Sequence, residues 1–135
     1  MKAIEKQLIE HEGLEKKVYR CPAGKLTVGV GRNLEDKGIT EEEALFLLRN
    51  DIAECEDDLR SIFTEYDALD ESRKHVLIDM RFNLGPSRFR KFKKMIAAVK
   101  EKEFSRAAEE MKDSNWYRQV GKRAERLFKM MEIAG

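Results

Sequence analysis

Apolar positions along the chain change period twice, and each change marks a change of element. Over residues 2–12, Ile4, Leu8 and Ile9 share one face of a helical register, with Lys and Glu elsewhere. This predicts a short amphipathic helix that Gly13 is well placed to end. Over residues 17–31 the period falls to two. Val18, Tyr19, Leu26, Val28 and Val30 favour strands, and Cys21-Pro22-Ala23-Gly24 reads as a turn, which together predict a β-hairpin. Leu26, Val28 and Val30 fall on one face, and Thr27, Gly29 and Gly31 on the other. Two glycines beside one threonine leave that second face nearly bare, open to close approach by a ligand. The same glycines also suit a twisted or bulged hairpin.

From residue 40 the helical period takes over. Thr40-Glu41-Glu42-Glu43 is a capping box, opening a helix to about Leu59 whose apolar stripe is Ala44, Leu48, Ile52, Cys55 and Leu59. Ile62–Tyr66 reads as a short helical turn. Asp70 is a good N-cap for a helix over 71–84. Val76, Leu77, Ile78, Met80, Phe82 and Leu84 cover a wide arc of that helix, so it is expected to be central and most buried. Gly85-Pro86-Ser87 ends it. Further helices are marked by Phe89, Phe92, Met95, Ile96 and Val99, and then by Phe104, Ala107, Ala108 and Met111. Ser114 caps a short turn holding Trp116 and Tyr117, and Ala124, Leu127, Phe128 and Met131 mark the final helix. The expected fold class is α+β and mostly helical. A small β-hairpin lobe (about 14–35) should pack beside a helical part (1–13 and 36–135) with a cleft between them, all in one domain over 1–135.

The chain has 135 residues, 41% of them hydrophobic and 39% charged. That length can bury a real core, and no apolar run is long enough to span a bilayer. Met1-Lys2-Ala3-Ile4-Glu5-Lys6 carries charges where a signal peptide would need its apolar stretch, so no signal peptide is expected. The net charge of +1 conceals an asymmetry. Residues 1–70 hold 10 Lys+Arg against 17 Asp+Glu, whereas 71–135 hold 17 against 9. A basic half suits a polyanion such as cell wall or nucleic acid, although charge runs also simply solvate helix faces. Two cysteines are too few for a disulfide scaffold, and without encoded export Cys21 and Cys55 are expected unpaired, Cys55 as a small core residue.

Candidate chemistry gathers early in the chain. Glu12 closes the first helix, where the macrodipole disfavours negative charge. Cys21 follows in the hairpin turn and Thr27 on its second strand. A hairpin between them would fold all three toward one cleft. A carboxylic acid with a thiol that can act as nucleophile or base suits general acid–base or nucleophilic chemistry. Other chemistries lack their motifs. Gly29-Val30-Gly31 has no third glycine for a dinucleotide site, His11 and His75 have no clustered partners for zinc, and no Gly-x-Ser-x-Gly elbow is present. No metal and no cofactor is expected.

His11-Glu12-Gly13-Leu14, then Val18-Tyr19, then Leu26-Thr27-Val28-Gly29-Val30-Gly31 resembles the catalytic signature of phage lysozymes, the T-even phage type of glycoside hydrolase family 24. Asn83-Leu84-Gly85 resembles that family's turn after its central helix. Ser114-Asn115-Trp116-Tyr117 with Arg123-Ala124-Glu125-Arg126 resembles its C-terminal signature. The resemblance covers about residues 5–130 and implies a lysozyme-like fold.

It also implies roles. Glu12 would be the general acid, and Thr27 would help hold the catalytic water. Cys21 stands where the best-known members have aspartate, completing a Glu–Cys–Thr triad as base, nucleophile or spacer. For the active roles its thiol must ionise more readily than a free one. Gly29, Gly31, Arg32 and Asn83 would bind or position substrate, and Arg123 would position Glu12 through an ion pair. Trp116 matches a core tryptophan. Arg32 replaces a histidine common in the family, and the stretch from Arg32 to Thr40 is short, which implies a minimal β-lobe. The implied activity is an endolysin that hydrolyses the β-1,4 bond between N-acetylmuramic acid and N-acetylglucosamine in peptidoglycan. It would act as a monomer with no nucleic-acid partner, would gather in the host cytoplasm before lysis, and would depend on a holin to reach the wall. A lytic transglycosylase or a catalytically inactive wall-binding domain of the same fold are the alternatives.

Overall fold

The computed structural model describes residues 1–133; residues 134 and 135, included in the expected helical part, lie outside the described residues. Two compact units form, Met1–Leu47 and the chain from Leu48 onward.

The first unit opens with α1 (Ala3–Glu12). Glu5 accepts the Lys2 backbone N–H at 2.8 Å, and Gly13 closes the helix by donating its N–H to the Ile9 carbonyl at 2.8 Å. Three strands follow, β1 (Glu15–Arg20), β2 (Leu26–Gly29) and β3 (Arg32–Asn33), in one antiparallel sheet of that order. The expected hairpin therefore gains a third strand. Gly29 and Gly31 take φ of +68° and +64°, turning the chain sharply enough to lay β3 back along β2. In register, Tyr19 faces Thr27 and Arg20 faces Leu26, while Glu15 pairs with Gly29. β1 thus advances four residues where β2 advances two, a bulge that bends the strand. Asn33 then caps α2 (Leu34–Lys37), its Oδ1 accepting the Asp36 N–H at 3.0 Å. A four-residue helix is too short to show any period, which is why the apolar pattern does not reveal it.

The capping box forms as read. Thr40 Oγ1 accepts the Glu43 N–H at 3.1 Å, and Glu43 Oε1 accepts the Thr40 N–H at 2.8 Å. It opens α3 (Glu41–Ile62), which runs across the boundary between the units. Along its stripe Cys55 and Leu59 are buried, Ile52 is half-buried, and Ala44 and Leu48 are exposed.

The second unit is helical. A 3-10 turn lies at Tyr66–Ala68, after α3 has run to Ile62, and so four residues beyond the expected Ile62–Tyr66. Asp70 caps α4 (Glu71–Phe89), accepting the Arg73 N–H at 3.1 Å. Gly85, at φ +82°, breaks α4 where Gly85-Pro86 predicted an end. Then come α5 (Lys93–Lys100), α6 (Phe104–Lys112), α7 (Asn115–Val120) and α8 (Lys122–Glu132). Val76, Leu77, Met80 and Leu84 form the buried arc of α4 within a core that also takes Tyr66, Phe89, Met95, Met111 and Met131. Arg81 sits on the same arc, 7% exposed, while Phe82 falls off it and is exposed. Arg81 can be buried because Asp58 accepts its Nε at 2.7 Å, and Asp58 also holds Arg90 from beyond the Gly85 break. No helix among the described residues is long and apolar enough to cross a membrane.

Candidate active site

Glu12 is the last residue of α1, and its side chain reaches Gly31. A β-carbon on Gly31 would stand 3.1 Å from Glu12 Oε2. A side chain at 31 would therefore be strained by the left-handed backbone and would also press on the carboxylate beside it. Gly29 shares the backbone conformation, but nothing lies within 4 Å of its virtual β-carbon.

Cys21 begins the β1–β2 turn. Its N–H donates to the Lys25 carbonyl at 2.9 Å, and its own carbonyl accepts the Gly24 N–H at 2.8 Å. The thiol is half-buried and ionises more readily than an ordinary cysteine. The backbone N–H of Lys25 is the main cause. Burial opposes it, and the Ala23 N–H and the Thr27 hydroxyl add to it. These donors are fixed by the turn itself, so a thiolate would find them in place.

Thr27 sits on the middle strand, opposite Tyr19 and Asn33, and is 2% exposed. Its face is thus covered, not the nearly bare one expected from Thr27, Gly29 and Gly31. The strand ends at Gly29, so Gly31 does not continue that face. The Thr27 hydroxyl donates to the Lys25 carbonyl at 2.9 Å and also lies within hydrogen-bond reach of Cys21. It has one proton for two takers, and ionisation of the thiol makes sulfur the stronger one.

Arg20 and Lys25 are the nearest cations in sequence, but their charges are engaged elsewhere. Arg20 lies 3.6 Å from Glu35 and donates to the Gly24 carbonyl, and Lys25 lies 3.3 Å from Asp36 and 3.8 Å from Glu35. The contribution of Lys25 to Cys21 is its peptide N–H, which no side-chain pattern reveals. Glu35 also accepts the Leu26 N–H at 3.2 Å, bracing the turn from outside. Nothing in the sequence singles it out.

The other predicted positions are engaged within their own units. Arg32 forks onto Glu43 at 2.9 and 2.7 Å and donates to the Gly38 carbonyl at 3.1 Å. That guanidinium, with the Thr40 N–H, holds the Glu43 carboxyl down at about 2. In the second unit Asn83 Oδ1 accepts the Trp116 indole N–H at 2.8 Å, and Arg123 Nε donates to Asp79 at 2.7 Å. Trp116 is buried and meets Phe92 edge-on at 5.9 Å, consistent with a packing role. Both cysteines are free thiols. Among the described residues no group of three or more His, Cys, Asp and Glu side chains could hold a metal ion.

The model of the family described as phage lysozyme matches residues 9–130, a span that takes in Glu12, Cys21, Thr27, Asn83 and Arg123. The chain belongs to the phage lysozyme family. Similar proteins include two from Dictyostelium discoideum. The probable T4-type lysozyme 2 is 28% identical over 90% of this chain and 88% of its own length. The probable T4-type lysozyme 1 is 27% identical over 96% and 94%. The pre-baseplate central spike protein Gp5 of Enterobacteria phage T4 is 27% identical over 93% of this chain but only 27% of its own length. Phage lysozyme membership supports a lysozyme-like peptidoglycan hydrolase activity, and the mostly helical α+β fold with one small sheet agrees with it.

Proposed function

We propose that this protein is an N-acetylmuramidase that hydrolyses the β-1,4 bond between N-acetylmuramic acid and N-acetylglucosamine, with Glu12 as general acid. The observation that carries this reading is the Glu12 carboxylate seated against Gly31, in the unit that also holds a readily ionised Cys21 beside Thr27. Glu12 donates its proton to the departing glycosidic oxygen as the bond to the anomeric carbon breaks. The Cys21 thiolate takes a proton from a water molecule, whose oxygen bonds to that carbon. Thr27 holds the sulfur and keeps the thiolate oriented. The water enters opposite the leaving group, so the reaction inverts the anomeric centre. In its setting the enzyme acts as a monomeric endolysin, accumulates in the host cytoplasm and reaches the wall once a holin has opened the membrane.

Digestion of purified peptidoglycan tests the reading. Mass spectrometry is expected to find free reducing N-acetylmuramic acid ends, with the inverted anomer by early-time NMR. Anhydro-sugar ends would replace the hydrolase with a transglycosylase. Binding without any cleavage would leave only a wall-binding domain.

A further inference from the structure

The segment Arg88-Phe89-Arg90-Lys91-Phe92-Lys93-Lys94 places five cations in seven residues where α4 ends and α5 begins. Arg90 is spoken for by Asp58 at 2.9 Å. Arg88, Lys91, Lys93 and Lys94 are all exposed, and among the described residues none has a carboxylate within ion-pair distance. Elsewhere in the same unit Arg60, Arg73, Arg81, Arg106 and Arg123 are each paired, and exposed cations without a partner among the described residues, such as Lys122 and Arg126, are not gathered four in seven residues. Glu110 and Asp113 line the groove beside Lys91, Lys93 and Lys94 but do not pair with them.

Two of these cations stand where folding disfavours them. Lys93 and Lys94 are the first residues of α5, at its positive end. The first turn holds no acid, and Phe92 supplies no side-chain cap. α6 also begins without a side-chain cap or an acid in its first turn, so what sets α5 apart is the unpaired cations added to that positive end.

The aromatic residues of the segment narrow the choice of anion. Phe89 is fully buried and Phe92 packs on Trp116, while Met95 and Ile96 are buried as well. No ring is free to stack nucleobases and no apolar wedge is free to enter a bilayer. The segment offers charge alone, and a phosphodiester chain without bases asks for nothing more; duplex DNA, which is also held through its phosphates, is the competitor that the test separates. We propose that Arg88, Lys91, Lys93 and Lys94 form a docking surface for the polyol-phosphate polymers bonded to peptidoglycan. The proposal rests on the hydrolase reading only in supposing that the protein works at the wall.

The test is titration of the full chain with purified poly(glycerol phosphate), which needs no catalysis. The logarithm of affinity should fall linearly with the logarithm of salt concentration, and the Lys93→Glu/Lys94→Glu variant should bind about tenfold more weakly. Acids at the start of α5 should hold or raise Tm, so weaker binding would not reflect unfolding. A Lys122→Glu/Arg126→Glu control, reversing two exposed cations elsewhere for the same change in net charge, should bind nearly as wild type does. No binding at about 50 mM salt, an equal loss in the control, or tighter binding to duplex DNA at equal phosphate concentration would each overturn the proposal. Clearing of peptidoglycan stripped of its phosphate polymers is measured alongside and should be the same in wild type and Lys93→Glu/Lys94→Glu. Failure to clear it would count against the hydrolase reading alone.

Discussion

The Glu12 carboxylate lies 3.1 Å from the point where a β-carbon on Gly31 would stand, whereas the matching point on Gly29 is open. The two glycines share a left-handed backbone, at +64° and +68°, so alanine at either should destabilise the fold by about 1 kcal/mol. Only Gly31→Ala displaces the carboxylate as well. Urea unfolding should therefore find the two variants alike, while lysis falls at least about tenfold further in Gly31→Ala, because a small misplacement of a reacting group is expensive in rate. Equal activities would mean that the contact at Gly31 does not govern Glu12.

The environment of Cys21 predicts a reactive thiol. Its alkylation by iodoacetamide should rise with pH about a midpoint below that of free cysteine, roughly 8.5. Thr27→Val should move that midpoint up without restoring it fully, because the N–H groups of Lys25 and Ala23 remain. Cys55 should stay silent, since burial pushes its thiol the other way. If the thiolate acts in lysis, the acid limb of the activity profile moves with the alkylation midpoint in Thr27→Val.

Asp58 links α3 to both sides of the Gly85 break, and Arg90 and Arg81 hold its carboxyl at about 2, below the ordinary 3.8. A folded-state value below the unfolded one gives stability that is complete above about pH 4 and is lost as pH falls through about 2. The shift corresponds to about 2 kcal/mol. Asp58→Asn should therefore lower stability at pH 7 by about 3 kcal/mol, since it also leaves the buried Arg81 without its charge partner, and should flatten stability between pH 4 and 2. Glu43 shares this direction, so the difference between variant and wild type isolates Asp58.

Asn83 carries the only polar contact recorded for the Trp116 indole N–H among the described residues. Asn83→Leu should cost about 2 kcal/mol in thermal unfolding by leaving that buried N–H unpaired. Asn83→Asp keeps an acceptor and should recover most of the loss. If activity tracks stability in both variants, Asn83 works through Trp116; if Asn83→Asp folds normally yet raises KM, the side chain also meets substrate.

Much of this architecture is legible in local pattern. Thr40 with Glu43, Asp70 and Ser114 cap helices where side-chain chemistry predicts, and Gly85 breaks α4 where Gly-Pro demands. Elements too short to have a period are not legible, which hides β3 and α2. Arg81 is hidden for another reason: the residue that permits its burial, Asp58, lies 23 positions away. The triad positions are visible as a motif, but what tunes Cys21 is backbone geometry, the peptide N–H of Lys25. The bare strand face expected around Thr27 fails because the alternation stops at Gly29, where the chain turns.

The most direct test of the account is the loss of turbidity of purified peptidoglycan with wild type and Glu12→Gln at matched folded concentration. Glutamine keeps the shape beside Gly31 but carries no proton to give. Wild type should clear the peptidoglycan with new reducing ends, and Glu12→Gln should clear it at least about a hundredfold more slowly. Clearing by Glu12→Gln at the wild-type rate would contradict the general-acid role of Glu12.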